Sequence, residues 1–273
     1  MLKSNTLKVN REGSLCFITF PKFEKYKLRH AFTTRLGGVS EGIYRSMNLS
    51  FNVGDDREKV IKNYEIICNA IGIDTEDITL TKQTHTNNVI AVTEKNRGSG
   101  IYRPSDYDDV DGIITDCKNV AIVGHSADCC LIGFFDPVSQ VIAVSHAGWR
   151  GTAAEIGRVT VQKMQKDFGC NPKDILVGLC PSISKCCYEV DTPVYNEFAK
   201  IDHLDTDSVF TKKQGDKYML DLYEANRQIL VHCGIKNENI DISDICTNCN
   251  GDDLHSHRAS KGKRGVNGLI MEL

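Results

Sequence analysis

A chain of 273 residues, 41% apolar and 25% charged with a formal net charge of -3, is long enough for one large domain or two small ones. Its lysines and arginines are spread along the chain, which argues against nucleic acid or an anionic membrane as the main partner. The N-terminus is too polar for a signal peptide, and no apolar run reaches the ~18 residues of a membrane span. A cytoplasmic location is therefore expected, with the twelve cysteines reduced and most of them buried as small hydrophobes.

The first ~12 residues are expected to be flexible. Strands are predicted over 14–20 and 28–34, followed by the glycine-bearing loop Thr33–Ser40 that carries Arg35. Residues 46–50, including Asn48, read as a short extended piece. Asn52–Asp56 is a loop ending in acids suited to a helix start, and Val60, Ile61, Tyr64, Ile67 and Ile71 predict a helix over 57–72. Strands over 78–81 and 88–92 flank Lys82–Thr86, residues 95–109 read as loop, and strands follow at 113–115 and 119–124. The apolar runs 129–135 and 140–145 flank Asp136-Pro-Val-Ser139 and predict a hairpin turning between 137 and 138. That register sets Phe135 opposite Gln140 and Cys129 opposite His146, with Cβ atoms ~5 Å apart. Gly148-Trp-Arg-Gly151 feeds a helix over 152–168 and offers Arg150 at an anion seat. A strand over 174–179 comes next, then helices over 192–200 and 221–233 around a polar strand pair near 207–220. The end reads as a loop and an edge strand over 269–273. The sum is one α+β domain across 1–273, with helices covering mixed, mostly antiparallel sheets.

A cysteine facing a histidine supports two chemistries. Cys129 is either a thiolate nucleophile activated by His146, with Asp128 or another carboxylate orienting the imidazole, or one of three ligands of a zinc with an open fourth position. In the second reading His85, where a polar loop meets an apolar strand, is the obvious third ligand. A purely structural Cys–His pair fits the same pattern. Cys246-x-x-Cys249 reads as half of a zinc ribbon, but there is no second such pair, and the adjacent Cys186-Cys187 lacks the knuckle spacing. A single His255-x-His257 is weak support for copper and argues against a laccase site. The zinc-deaminase pattern is absent, because His146 is followed by Ala147-Gly148. Arg35, Arg150, Arg258 and Arg264 lie in glycine- or serine-containing loops; Arg35 and Arg150, with glycines closest, are the preferred anion binders. Asp111 and Glu189 are general-base candidates.

Several segments together carry a family pattern: His30–Ser40, Met47-Asn-Leu49, Gly54-Asp-Asp56, Lys82-Gln-Thr-His85, Asp109-Val-Asp-Gly112, Ala127-Asp-Cys129, His146-Ala-Gly-Trp-Arg-Gly151, Cys186-Cys-Tyr-Glu-Val190 and Ser256-His-Arg258. From about residue 28 onward the chain resembles the YfiH family, long labelled multicopper polyphenol oxidase or laccase-domain proteins. The resemblance implies a fold related to the catalytic domain of cytotoxic necrotizing factor toxins. It also implies zinc, rather than copper, on His85, Cys129 and His146. The implied activity is phosphorolysis of adenosine, inosine and methylthioadenosine, with adenosine deamination beside it. On that basis the expected catalytic set is Cys129, His146, His85 and Arg150, with Arg35, Arg150, Asn48 and Arg258 binding substrate or phosphate. No protein partner is expected. A metal-free Cys–His hydrolase and a copper-dependent polyphenol oxidase are the alternatives. The sequence departs from the family pattern at Cys130, at Ser184-Lys185 and at His257.

Overall fold

Strands that are apolar at consecutive positions must be covered on both faces, and this requirement stacks the chain as helix, sheet, sheet, helix. The computed structural model describes residues 2–273. One six-stranded sheet runs in the order β1 (Lys8–Glu12), β2 (Leu15–Thr19), β3 (Arg29–Thr33), β15 (Asn267–Glu272), β7 (Ala121–Ser126), β4 (Ile78–Leu80). The other runs β14 (Ile240–Ile242), β10 (Leu176–Leu179), β8 (Cys130–Asp136), β9 (Val141–Ala147), β6 (Gly112–Thr115), β5 (Val89–Ala91). Parallel pairing occurs at the rims, where β4 joins β7, β5 joins β6 and β14 joins β10. A small third sheet holds β11 (Glu189–Asp191), β13 (Lys217–Leu220) and β12 (Phe210–Lys212).

The two large sheets pack face to face. Leu269 and Met271 of β15 meet Leu131, Phe135, Ile142 and Val144 of the opposite sheet. Ile270, one residue out of phase, points the other way, against Val60, Tyr64 and Ile67 of helix α2 (Arg57–Ile71). Helix α1 (Pro21–Glu24) puts Phe23 into the inter-sheet core. On the second sheet, Cys130, Ile132 and Phe134 face outward under α4 (Ile156–Phe168) and α7 (Leu222–His232). Helices α5 (Thr192–Phe198) and α6 (Thr206–Val209) close over the small sheet. Helix α2 begins where Asp56 accepts hydrogen bonds from the N–H groups of Glu58 and Lys59, and it ends at Gly72 in the left-handed region. Among the described residues no helix is long and apolar enough to cross a membrane.

Four expectations need correction. Residues 8–12 are not a loose end: they pair antiparallel with β2, and Leu2 and Leu7 are buried. The last strand is not an edge, since β15 lies between β3 and β7; its unbroken Leu-Ile-Met needs cover on both faces. The β8–β9 hairpin turns over the four residues 137–140, because Asp136 Oδ1 accepts from the N–H groups of Val138 (2.8 Å) and Ser139 (3.1 Å) and Gln140 adopts φ 53. Leu131, not Cys129, therefore opposes His146, and Cys129 lies outside the ladder. The helix read over 152–168 is two helices, α3 (Trp149–Ala153) and α4, parted at Glu155 with φ 53.

The position of β15 is testable. Leu269→Ala should cost ~2–5 kcal/mol in urea denaturation, as for a buried leucine with no room to collapse. The control Val138→Ala, at the exposed hairpin tip, should be near neutral.

Candidate functional site

His146 shares the inward face of β9 with Ile142 and Val144 and ends that row at the mouth between the two large sheets. Cys129 stands immediately before β8, reached through Asp128 with φ 98. His85 lies in the loop between β4 and β5 with φ 69. Left-handed backbone is unfavourable for side-chain-bearing residues and persists where surrounding contacts enforce it. Here a single buried carboxylate does so. Asp111 Oδ1 accepts from the N–H of His85 (3.1 Å), and Oδ2 from the N–H groups of Thr84 (2.9 Å) and Thr86 (3.0 Å).

The same carboxylate accepts a hydrogen bond from His146 Nδ1 at 2.8 Å, and the His146 N–H reaches the Asp111 carbonyl at 2.8 Å. Nε2 of His146 is thereby left as the free ring nitrogen, turned to Cys129. Burial pushes the Asp111 carboxyl up, but the His146 partner and the backbone donors outweigh it and hold it down at about 2. Burial also pushes the Cys129 thiol up; the His146 charge and hydrogen bonds from both histidines prevail and pull it below the ordinary thiol range. His146 moves the opposite way, because Cys129 and Asp111 overcome the desolvation of its ring. The two shifts run in opposite directions and have one cause, the contact between Cys129 and His146.

The ligand atoms of His85, Cys129 and His146 all lie within 4.8 Å of one another. The two imidazoles meet edge to face, centroids 4.8 Å apart. One cysteine and two histidines are a donor set accepted by both zinc and copper. Gly148 keeps the space open: a Cβ there would lie 2.8 Å from Cys129 Sγ.

Two lobes of a cleft meet at these residues. One, of about 270 Å³, has polar walls that include Ser50, Asn52, Thr81, Gln83 and His125. The other, of about 330 Å³, is walled by Ile183, Tyr188, His257 and Arg258. His85, Ala127, Cys129 and Arg264 belong to both. A larger cavity of about 460 Å³ adjoins the first lobe through Ser50 and His125 but touches none of the three ligands.

Of the residues expected to bind substrate or phosphate, Arg258 reaches the cleft. Arg35 does not: its guanidinium donates to the carbonyls of Arg45 (2.9 Å) and Gly251 (2.7 Å) and lines a separate cavity with His255 and Lys263. Asn48 is fully buried and ties Ser50, Asp55 and Val266 together. Arg150 lies over the Trp149 ring at 4.3 Å, on a helix of only five residues, and is absent from both lobes. Asp128 is not the group that orients the imidazole. Its two oxygens bind the Thr247 hydroxyl (2.6 Å) and the Arg258 N–H (2.7 Å), leaving that task to Asp111. Glu189 is exposed and pairs with Lys213 at 3.1 Å. His255 is buried away from the cleft wall that carries His257.

Arg264, named among the loop arginines but not preferred, lines both lobes. It is half-buried, its Nε has no partner, and Nη1 donates only to the Gly265 carbonyl at 3.3 Å. The only local signal in the sequence is a nearby glycine, Gly265, a feature that Arg35 and Arg150 share with it.

The family model for multi-copper polyphenol oxidoreductase laccase matches residues 29–272. The chain is 38% identical over 236 residues to the purine nucleoside phosphorylase YlmD of Bacillus subtilis, covering 86% of this chain and 84% of that protein. It is 32% identical over 239 residues to the adenosine deaminase RL5 of an unknown prokaryotic organism, covering 87% and 89%. The crystal structure of the Bacillus licheniformis hypothetical protein YfiH superposes with a TM-score of 0.93 at 32% identity, covering 98% and 99%.

Two outcomes follow from Asp111. Asp111→Asn should weaken divalent-metal affinity ~10–100-fold, as loss of a ligand-orienting partner does, measured by competition with a chromophoric chelator. Its carboxyl is lowered from 3.8 to about 2, so the stability it contributes is complete above pH 3.8 and disappears as pH falls toward 2. Acid unfolding of the metal-free chain should show that loss, and Asp111→Asn should flatten it.

Proposed function

The chain belongs to the family described as multi-copper polyphenol oxidoreductase laccase, and from that membership we propose that this enzyme phosphorolyses adenosine, inosine and methylthioadenosine, deaminates adenosine, and uses zinc. The reading is carried by one observation: the His85–Cys129–His146 group and Arg264, whose buried Nε has no partner, open onto the same cleft. Relatives named purine nucleoside phosphorylase and adenosine deaminase support it.

The donor set suits zinc, and the lobes leave room for an exchangeable fourth ligand; zinc bound there supplies a Lewis acid and an acidified water. Asp111 holds His146 in the tautomer that frees Nε2 and keeps the His85 loop in place. Ile183 offers the purine an apolar wall and Tyr188 an aromatic one. Arg264 offers forked donors to phosphate, and Arg258, whose guanidinium also holds the Cys187 and Glu189 carbonyls, lends its charge from the cleft wall. Arg264 is preferred to Arg35, whose guanidinium is tied to carbonyls outside the cleft, and to Arg150, which stacks on Trp149 and lines neither lobe. In phosphorolysis a phosphate oxygen bonds to the sugar carbon as the glycosidic bond breaks and the base leaves protonated. In deamination water adds at the purine C6 and ammonia leaves. The free thiols of all twelve cysteines fit a reducing, cytoplasmic setting.

A second reading has its own observation. The lowered Cys129 thiol beside the raised His146 suits a metal-free Cys–His hydrolase of the toxin-like kind.

Adenosine with phosphate should yield adenine and ribose 1-phosphate, and adenosine alone should yield inosine and ammonia. Cys129→Ala should abolish both reactions. Arg264→Gln should raise the phosphate KM ~10–100-fold, the usual loss for a charged hydrogen bond, while sparing deamination. Absence of both product sets would end the nucleoside reading. Hydrolysis that survives full metal removal would favour the thiol hydrolase, and phenol oxidation dependent on bound copper would favour the oxidase.

A further inference from the structure

The two cysteine pairs that do not share a knuckle spacing in sequence are brought together in space. Parallel strands deliver their following loops to the same end of a sheet, and β10 and β14 are parallel neighbours, with Leu179 beside Ile242. The pairing carries on past the strands through a Ser182–Cys246 bridge and the Thr247 N–H donating to the Ser182 carbonyl at 3.0 Å. Cys186-Cys187 on one loop and Cys246-x-x-Cys249 on the other thus converge, and their four sulfur atoms lie within 4.8 Å of one another.

The spacing fits thiolates arranged around one metal ion. Sγ of Cys186 is 3.6 Å from Cys187 and 3.7 Å from Cys249, and the Cys187–Cys249 separation is 3.3 Å. A tetrahedral zinc with ~2.3 Å bonds to sulfur sets its thiolates ~3.8 Å apart. The observed separations are close to that and well beyond the ~2.05 Å of a disulfide. A cluster of several irons would spread its thiolates farther than this group is spread. The Cys246 sulfur also receives the backbone N–H groups of Ser184 (3.4 Å) and Cys249, which favours its thiolate form. None of the four belongs to the His85–Cys129–His146 group.

We propose that Cys186, Cys187, Cys246 and Cys249 form a second, closed metal site, a mononuclear tetrathiolate that takes zinc. Binding forms four Zn–S bonds, and each thiol that was protonated releases its proton to solvent. With every ligand supplied by the chain, the site has no open position and its task is structural. It clamps the 184–189 loop to the 246–249 loop. That clamp sets one wall of the cleft, because Arg258 donates to the carbonyls of Cys187 (3.3 Å) and Glu189 (3.4 Å), and Tyr188 lies between them.

The test is zinc stoichiometry by mass spectrometry on chain purified under reductant without an affinity metal. Cys187→Ser/Cys249→Ser should lose about one zinc per chain relative to wild type, and by the same amount in a His85→Ala/Cys129→Ala background. Should the double serine variant not fold, the wild-type chain still decides. Its four thiols should resist alkylation until a strong chelator is added, and cobalt in the His85→Ala/Cys129→Ala chain should give the charge-transfer bands of a tetrahedral thiolate site. Unchanged zinc in the serine variant, alkylation without chelator, or an intact mass showing a disulfide between these cysteines would each overturn the proposal.

Discussion

The Asp111 carboxylate is the constraint on which the functional end of the molecule depends. It is fully buried, yet it is saturated with donors: three successive backbone N–H groups from Thr84 to Thr86 and the ring N–H of His146. A buried anion is tolerated when its hydrogen-bonding capacity is filled in this way. One residue thus bends the chain at His85 into a left-handed turn and chooses which nitrogen His146 presents. Asp111 sets two of the three candidate ligand positions, His85 and His146. The third, Cys129, comes from another left-handed residue, Asp128, tied down by Thr247 and Arg258.

This arrangement explains which parts of the molecule could be read in the chain and which could not. Helical periodicity marked α2 closely, since its cap at Asp56 and its stop at Gly72 are local signals. Apolar runs marked most strands. Pairing depends on turn conformation and on distant partners, so the hairpin register slipped where the Asp136 side chain widened the turn. The C-terminal strand looked like an edge because nothing local reveals that two strands, remote in sequence, flank it. The site divides along the same line. His85, Cys129, His146 and Asp111 stood in recognisable motifs, and the structure brings them together. Arg35 and Arg264 sit in similar glycine-bearing loops, and only the folded chain shows that one is engaged with carbonyls and the other faces the cleft.

The cysteine pairs make the point differently. Adjacent cysteines fail a knuckle template, because the template assumes that each half of the site is a C-x-x-C turn. Here the second half is supplied by two consecutive residues in the 184–187 turn, set by the parallel run of β10 and β14. The same loops carry Tyr188 and hold Arg258, so the far side of the cleft and the cysteine group are one mechanical unit.

The central place of β15 bears on how the chain matures. Until residue 272 has been synthesised, β3 and β7 face each other across an empty slot, each with an unpaired, apolar strand edge. Such edges invite pairing with other chains. The loops and strand end that carry His85, Cys129 and His146 precede that strand by more than a hundred residues of sequence, so they leave the ribosome well before the sheet beneath them can close. The sheet that backs those loops is therefore completed only by the last strand of the chain.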